Sequence, residues 1–156
     1  MSKRLLIIID VQKGFINDFT KDVPGKIKNH LIANQEKYDF IIFTKFVNKP
    51  NSKFIKYLNW KGCAKPEEIE IVDELKDFIS KENLFEKETY SVFKAEELVN
   101  FIQANEISQI FLCGLNTDAC VMASAFDGFD LGFEIHIIKE LTNTFWGPEE
   151  YNDWTL

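Results

Sequence analysis

Three residues with reactive side chains stand close to the ends of predicted strands. Asp10 follows an apolar run of five residues, Lys87 ends the run NLFEK, and Cys120 lies early in a helical segment after a later strand. A carboxylate among apolar residues can act as a general acid or base, because desolvation shifts its pKa. A thiol in the first turn of a helix is a candidate nucleophile, since the helix N-terminus lowers its pKa. Together the three residue types predict catalysis by a cysteine.

Each of these residues also has an ordinary structural interpretation. Asp10 could serve only in a turn, Lys87 stands between two glutamates as solvated lysines do, and a lone helical cysteine is often a small buried side chain. The position of Cys120 favours chemistry, because the free N–H groups that begin a helix can hold an oxyanion. Cys113 lies within the apolar run QIFLC and is expected in the core, whereas Cys63 has no evident partner.

Predicted strands and predicted helices alternate along the chain, and they hold these residues in place. Nearly continuous apolar runs indicate strands that are covered on both faces. The sequence therefore predicts an α/β fold, a three-layer α/β/α sandwich with a mostly parallel sheet of five or six strands. A partly alternating last run predicts an edge strand. The predicted strands are Arg4–Asp10, Phe40–Lys45, Asn83–Lys87, Gln109–Gly114 and Phe133–Lys139.

Four helical patterns separate the strands. The first is marked by Ile27, Leu31 and Gln35, and the third by Leu98, Phe101 and Ile102. The second is predicted to begin at Pro66 and to run with an apolar stripe of Ile69, Val72, Leu75 and Ile79. The fourth is predicted to be capped by Asn116 and Thr117 and carries Val121, Ala125 and Phe129. Because ligands bind at the carboxyl ends of parallel strands, Asp10, Lys87 and Cys120 are expected to meet there.

Composition restricts the class of partner. The chain has 156 residues, which predicts one domain over residues 1–156, and 46% of them are hydrophobic. Its 18 Lys and Arg residues against 25 Asp and Glu residues give a net charge of −7, which argues against nucleic acid as a partner. No apolar run is long enough for a signal peptide or a membrane span, so no membrane partner is expected. Three cysteines without a CxxC spacing favour the reducing cytoplasm.

Three segments, in this order, resemble the motifs of the isochorismatase-like cysteine hydrolases. They are IDVQKGF at Ile9–Phe15, KETYSVF at Lys87–Phe93 and CGLNTDACV at Cys113–Val121. The resemblance covers roughly residues 4 to 140. It implies a catalytic triad of Asp10, Lys87 and Cys120.

The resemblance also assigns the surroundings of the triad. It implies a cis peptide bond between Leu115 and Asn116, with the backbone N–H groups of Asn116 and Cys120 as the oxyanion hole. It implies a small-molecule substrate whose C–N bond, in an amide or a carbamoyl or ureido group, is cleaved through a thioester. No cofactor is expected. The expected substrate-binding residues are Phe15, Trp60, Tyr90 and Leu115, and further pocket residues are expected in loops 46–64 and 141–151.

Two departures from the family bear on metal and assembly. Metal-binding relatives carry an Asp-x-His pair after the second strand, whereas Thr44–Pro50 contains no histidine, so no metal site is expected. His30 and His136 are interpreted as structural. The chain ends soon after Trp154, where relatives continue into a further strand, so an edge could be covered by a partner subunit. The family's habit of assembly implies a homo-oligomer.

Three other functions remain alternatives. A catalytically inactive family member would bind a ligand or assemble with a partner, but the filled triad positions argue against it. A flavodoxin-like receiver needs an acidic pair to bind magnesium, and the first strand supplies Asp10 alone. A dinucleotide-binding oxidoreductase needs a glycine-rich turn after that strand, which Val11–Gly14 does not provide.

Overall fold

Five parallel strands form the sheet of the computed structural model, which describes residues 2–147. They are β1 Lys3–Ile9, β2 Phe40–Phe46, β3 Leu84–Lys87, β4 Ile107–Leu115 and β5 Glu134–Asn143. Their order in the sheet is β3-β2-β1-β4-β5. The strand order reverses at β1, which pairs with β2 on one side and with β4 on the other. The predicted α/β/α fold is confirmed, with five strands that are all parallel.

Helices cover both faces of this sheet. The central strand β1 is buried from Leu5 to Ile9, and its side chains alternate between two cores. Leu6 and Ile8 pack in the core that contains residues of α1, Val23–Asn34. Leu5, Ile7 and Ile9 pack in the core that contains residues of α4, Glu96–Ala104. The helices are α1 Val23–Asn34, α2 Lys53–Leu58, α3 Pro66–Ile69, α4 Glu96–Ala104 and α5 Met122–Asp130.

The single helix predicted from Pro66 to Ile79 is wrong. The chain forms the one-turn helix α3, leaves it, and then forms a 3₁₀ helix over Asp73–Phe78. Between these two pieces Ile71 makes an antiparallel bridge with Gln12, and the Val72 N–H donates to the Val11 carbonyl. Val72 and Leu75 are buried, as the apolar spacing predicts. The helix does not continue through them because the chain pairs with the segment after β1 instead of forming helical hydrogen bonds.

Helix α2 lies in a segment that the sequence analysis treated as loop. Ser52 caps its N-terminus by accepting a hydrogen bond from the Ile55 N–H. Asn59 ends it in the left-handed conformation, with φ of 50°. A capping residue followed by Phe54 and Leu58, four positions apart, was the signal that could have predicted this helix.

Strand β5 lies at the edge of the sheet, as predicted. Within residues 2–147 it pairs only with β4. It runs to Asn143, beyond the predicted end at Lys139. The expectation about a strand after Trp154 falls outside the described residues. In the part of the chain that is described, no helix is both long and apolar enough to cross a membrane.

Candidate active site

Asp10, Lys87 and Cys120 meet at the carboxyl ends of the strands. The Lys87 Nζ lies 2.6 Å from Asp10 Oδ2 and donates a hydrogen bond of 3.3 Å to Cys120 Sγ. The three residues are 0%, 3% and 6% exposed, respectively. One ammonium therefore bridges a buried carboxylate and a buried sulfur.

Two neighbouring strands hold Asp10 in place. Asp10 follows β1 with φ of 50°, the left-handed region that few residues other than glycine adopt. Its N–H donates to the Thr44 carbonyl at 3.1 Å, and the Thr44 hydroxyl donates to Asp10 Oδ1 at 2.7 Å. One carboxylate oxygen is thus held by β2 and the other faces Lys87. Thr44 was not predicted as a site residue; it is a polar residue with no exposed surface in an apolar strand.

Lys87 is the last residue of β3 and turns inward. Besides its ion pair with Asp10 and its hydrogen bond to Cys120, its Nζ donates to the Thr89 carbonyl at 2.7 Å, so three acceptor atoms surround the ammonium. Burial lowers the pKa of the Lys87 ammonium, but the Asp10 carboxylate and the Cys120 sulfur outweigh burial and hold the pKa above its usual value. Lys87 therefore remains a cation in the resting site.

Cys120 lies in a π-helical turn, Thr117–Val121, that leads into α5. Burial raises the pKa of its thiol to about 12, Lys87 opposes that rise, and Asp10 adds to it. The expectation of a lowered thiol pKa is therefore wrong, because desolvation outweighs one ammonium. The expected Asn116 cap is also wrong, since its Oδ1 accepts a hydrogen bond from the Phe145 N–H at 2.9 Å.

Ser124 connects the thiol-bearing helix to the turn after Lys87. Its hydroxyl donates to the Cys120 carbonyl at 2.6 Å and accepts from the Val92 N–H at 3.0 Å. Ser124 has no exposed surface. It therefore fixes the distance between the two segments that carry Lys87 and Cys120, a role that the sequence analysis missed.

The end of β4 brings the backbone of the site close to β1. Gly114 has φ of +107°, and a Cβ there would lie 2.2 Å from the Ile9 carbonyl oxygen. Only glycine fits this approach. The Leu115–Asn116 peptide bond is cis, as the resemblance implies.

A pocket of about 270 Å³ opens over the thiol. Six of its residues are aromatic, and its other polar contributors besides Cys120 are two asparagines. The expected residues Phe15, Trp60 and Tyr90 all line it, and so do Asn116 and Cys120. The lining residues are Phe15, Phe46, Phe54, Leu58, Asn59, Trp60, Tyr90, Asn116, Ala119, Cys120 and Trp146.

Leu115 does not line the pocket, so its expected substrate contact is wrong. The side chain has no exposed surface and packs in the core on the α1 side of the sheet. Residues that the sequence analysis did not single out take part instead: Phe46, Phe54, Leu58, Asn59, Ala119 and Trp146. All but Ala119 lie in the two loops where further pocket residues were expected.

The aromatic residues form one packed wall. The rings of Phe15 and Trp60 stack with centroids 6.0 Å apart. Phe54 makes edge-to-face contacts with Phe46 at 4.9 Å and with Tyr90 at 4.9 Å. Burial, with the nearby Cys120 and Asp118, raises the pKa of Tyr90 to about 12, so the phenol is neutral. The wall suits an uncharged, flat ligand.

Solved structures share this fold. The chain superposes on N-carbamoylsarcosine amidase from Thermoplasma acidophilum with a TM-score of 0.82 and 20% identity, covering 97% of this chain and 89% of that one. For nicotinamidase PncA from Bacillus subtilis the TM-score is 0.80 and the identity 23%, with 96% and 91% covered. Both of those proteins are amidases by name.

A third similar structure, pyrazinamidase of Pyrococcus horikoshii, is a complex with zinc. Its TM-score is 0.76 at 20% identity, with 97% of this chain and 91% of that one covered. The residues of the present chain do not fit a zinc ion: within residues 2–147 no three His, Cys, Asp or Glu side chains cluster to hold a metal. His30 instead bonds to the Tyr38 hydroxyl, and His136 contacts Glu134.

A relative similar in sequence and a family model agree with these structural similarities. The uncharacterized isochorismatase family protein YrdC of Bacillus subtilis is 29% identical over 162 aligned positions, which cover 97% of this chain and 79% of the relative. The Isochorismatase domain matches residues 4–153. The chain therefore belongs to the isochorismatase family.

Proposed function

We propose that this protein is a cysteine-dependent hydrolase that cleaves the C–N bond of a small amide or of a carbamoyl or ureido compound. The observation that carries the proposal is the contact of the Lys87 ammonium with both Asp10 and Cys120. A buried acid, a buried cation and a thiol at the floor of a pocket suit acyl transfer to sulfur. The chain's family and its structural similarity to amidases support the same reaction class.

The reaction has two halves. In the first, Asp10 accepts the thiol proton as Cys120 Sγ attacks the carbonyl carbon, and the C–N bond breaks as Asp10 returns the proton to the leaving nitrogen. Ammonia or an amine departs and a thioester remains. In the second, Asp10 takes a proton from water, the hydroxide oxygen bonds to the acyl carbon, and the C–S bond breaks. The acid is released and Sγ regains a proton.

The raised pKa of Cys120 decides how the thiol is activated. A thiol with a pKa of about 12 is almost entirely protonated at neutral pH. The proton must therefore move to Asp10 as the C–S bond forms, rather than beforehand. Lys87 stays charged and stabilises the negative charge that passes between sulfur and carboxylate.

The backbone N–H groups of Asn116 and Cys120 are our candidates for the oxyanion hole. Both residues line the pocket, one at the end of the cis peptide bond and the other in the π-helical turn. Donors placed there would face the oxygen of a carbonyl that is bound above Sγ. Phe15, Trp60 and Tyr90 would hold the rest of the substrate.

We further propose that residues 1–156 form one domain and that the protein works in the cytoplasm as a homo-oligomer. Three free thiols, none of them in a disulfide, support a reducing compartment. The open edge of β5 supports assembly. Sedimentation velocity of the full chain tests the oligomer, and a monomer at all concentrations would reject it.

Ammonia release from a panel of acetamide, benzamide and phenylurea tests the function. We expect release from at least one compound by the wild-type chain and none by Cys120→Ala, whose unfolding temperature should stay close to that of the wild type. Turnover by Cys120→Ala would overturn the mechanism. Failure of the wild-type chain on every compound would favour the alternative, a family member that binds a ligand or partner without catalysis.

A further inference from the structure

We infer that Asn48 is a positioning residue that holds one side of the pocket against the sheet and so sets the affinity for substrate. That side, residues 52–62, is called the α2 wall here. It includes α2 and contributes Phe54, Leu58, Asn59 and Trp60 to the pocket. The kinetic part of this inference rests on the proposed function.

Asn48 uses its whole carboxamide within the protein. It is 3% exposed and follows β2 by two residues. Its Nδ2 donates to the Trp60 carbonyl at 3.1 Å and to the Gly62 carbonyl at 3.0 Å, and its Oδ1 accepts from the Ser52 hydroxyl. Its backbone N–H donates to the Cys63 carbonyl at 2.9 Å. One side chain thus ties both ends of the α2 wall to the end of β2.

The α2 wall needs such an anchor. Helix α2 has six residues, and a helix that short has little stability of its own. The Ser52 hydroxyl that binds Asn48 also caps the helix through the Ile55 N–H at 3.3 Å. At the other end, the Trp60 ring lies against Gly62, where a Cβ would come within 2.5 Å of the ring. The anchored carbonyls therefore fix the plane of the indole that faces the substrate.

The anchor acts on the pocket without touching the reacting groups. Asn48 is not among the lining residues, and the hydrogen bonds described above for Asp10, Lys87 and Cys120 do not involve it. Those three are held by β1, β3 and the turn before α5. Loss of the anchor should then loosen substrate binding and leave the chemical step nearly unchanged.

Asn48→Asp tests this inference, because it keeps the size and the acceptor and removes the Nδ2 donors. Losing two buried hydrogen bonds to the α2 wall should raise KM for the amide that turns over by at least about tenfold. The value of kcat and the rate of Cys120 alkylation by iodoacetamide should change by less than about twofold, as expected of independent sites. Ser52→Ala, which removes one of the anchor's bonds, should shift KM in the same direction by less.

Asn105→Ala is the matched control. Its Nδ2 also donates to a backbone carbonyl, that of Phe101 at 2.8 Å, but at the end of α4 and outside the pocket lining. Its KM should equal that of the wild type. A fall in kcat with unchanged KM in Asn48→Asp, or an equal rise of KM in Asn105→Ala, would overturn the inference.

Hydrogen exchange separates this inference from the proposed function. Exchange of the backbone amides in residues 52–62 should quicken in Asn48→Asp and Ser52→Ala, with β1 and β4 unchanged, whether or not any amide is hydrolysed. Unchanged exchange of residues 52–62, or faster exchange spread over β1 and β4, would refute the positioning role. Absence of turnover together with faster exchange confined to the α2 wall would reject the function and keep the anchor.

Discussion

Lys87 stands between Glu86 and Glu88, and each glutamate pairs with a lysine elsewhere. Glu86 lies 3.6 Å from Lys45, and Glu88 pairs with Lys49, both near the surface. Side chains alternate along a strand, so the Lys87 side chain points to the face opposite to that of Glu86 and Glu88, where it contacts Asp10. Sequence alone showed a lysine among acids, which is typical of a solvated face. Its burial depends on the register of β3 against β2, which no local pattern encodes.

Lys87→Met should slow the alkylation of Cys120 and destabilise the fold. The change leaves Asp10 without its cation, and breaking a buried ion pair typically costs about 3–5 kcal/mol of unfolding free energy. It also removes the charge that lowers the Cys120 pKa. Denaturant unfolding and timed iodoacetamide labelling measure the two effects.

Lys45→Met is the control for that substitution. Lys45 lies on the neighbouring strand, and the side chain of its partner Glu86 is 47% exposed, so an unfolding loss of less than about 1 kcal/mol is expected. Equal losses in the two variants would mean that Lys87 is an ordinary surface lysine, contrary to the buried bridge described here.

At the scale of elements, strands were predictable and short helices were not. Continuous apolar runs placed β1, β2 and β4 within a few residues. The segment from Pro66 to Ile79 has helical spacing, yet its pairing with the chain after β1 is a tertiary contact that spacing cannot reveal. Phe46, Phe54 and Trp146 line the pocket because the end of β2, helix α2 and the segment after β5 fold together, so no local motif predicted them.

Gly114 allows the ends of β1 and β4 to approach each other closely. Gly114→Ala should abolish the paired geometry of the β1 and β4 ends, because the new Cβ would lie 2.2 Å from the Ile9 carbonyl oxygen. We expect little folded protein, or folded protein that has lost activity. Thermal unfolding and circular dichroism measure this.

Gly132→Ala separates steric contact from backbone strain. Gly132 also has a positive φ, +90°, but nothing lies within 4 Å of its Cβ position. Only the cost of a left-handed residue, about 1 kcal/mol, is expected there. Equal stability of the two alanine variants would mean that close contact between β4 and β1 is not the reason for a glycine at position 114.

For the whole molecule, the fold class and the acidic charge followed from sequence, whereas the protonation states of its thiols did not. The alternation of strands and helices was sufficient to predict three layers. Cys63, Cys113 and Cys120 are buried in the two cores of the fold. Burial raises the pKa of each thiol, to about 12 in Cys63 and Cys120. The position of Cys120 near a helix N-terminus had predicted a lowered pKa for its thiol.

These raised values predict that the folded protein loses stability at high pH. Above about pH 9 the thiols ionise in the unfolded chain but keep their protons in the folded one, so unfolding releases protons and the unfolding free energy falls as pH rises. Each fully buried thiol contributes about 1.4 kcal/mol per pH unit in that window. Urea unfolding between pH 8 and pH 11 measures the slope.

Cys113→Ala should remove one thiol's share of that slope. The residue lies in the core of β4, away from the pocket lining, so the altered slope reports protonation alone. A slope that is the same with and without Cys113, or a stability that rises between pH 9 and pH 11, would contradict the raised thiol pKa values.

The most direct test of the account is iodoacetamide labelling across pH 6 to 10, read by peptide mapping for each cysteine. Cys120 faces the pocket, whereas Cys63 and Cys113 have no exposed surface, so Cys120 alone should be labelled in the folded protein. Its rate should climb without a plateau below pH 10. Asp10→Asn should slow it at neutral pH, because loss of the proton acceptor outweighs removal of the carboxylate charge that raises the Cys120 pKa. Labelling of Cys120 no faster than of the two core cysteines, or unaffected by Asp10→Asn, would contradict a cysteine nucleophile activated by Asp10.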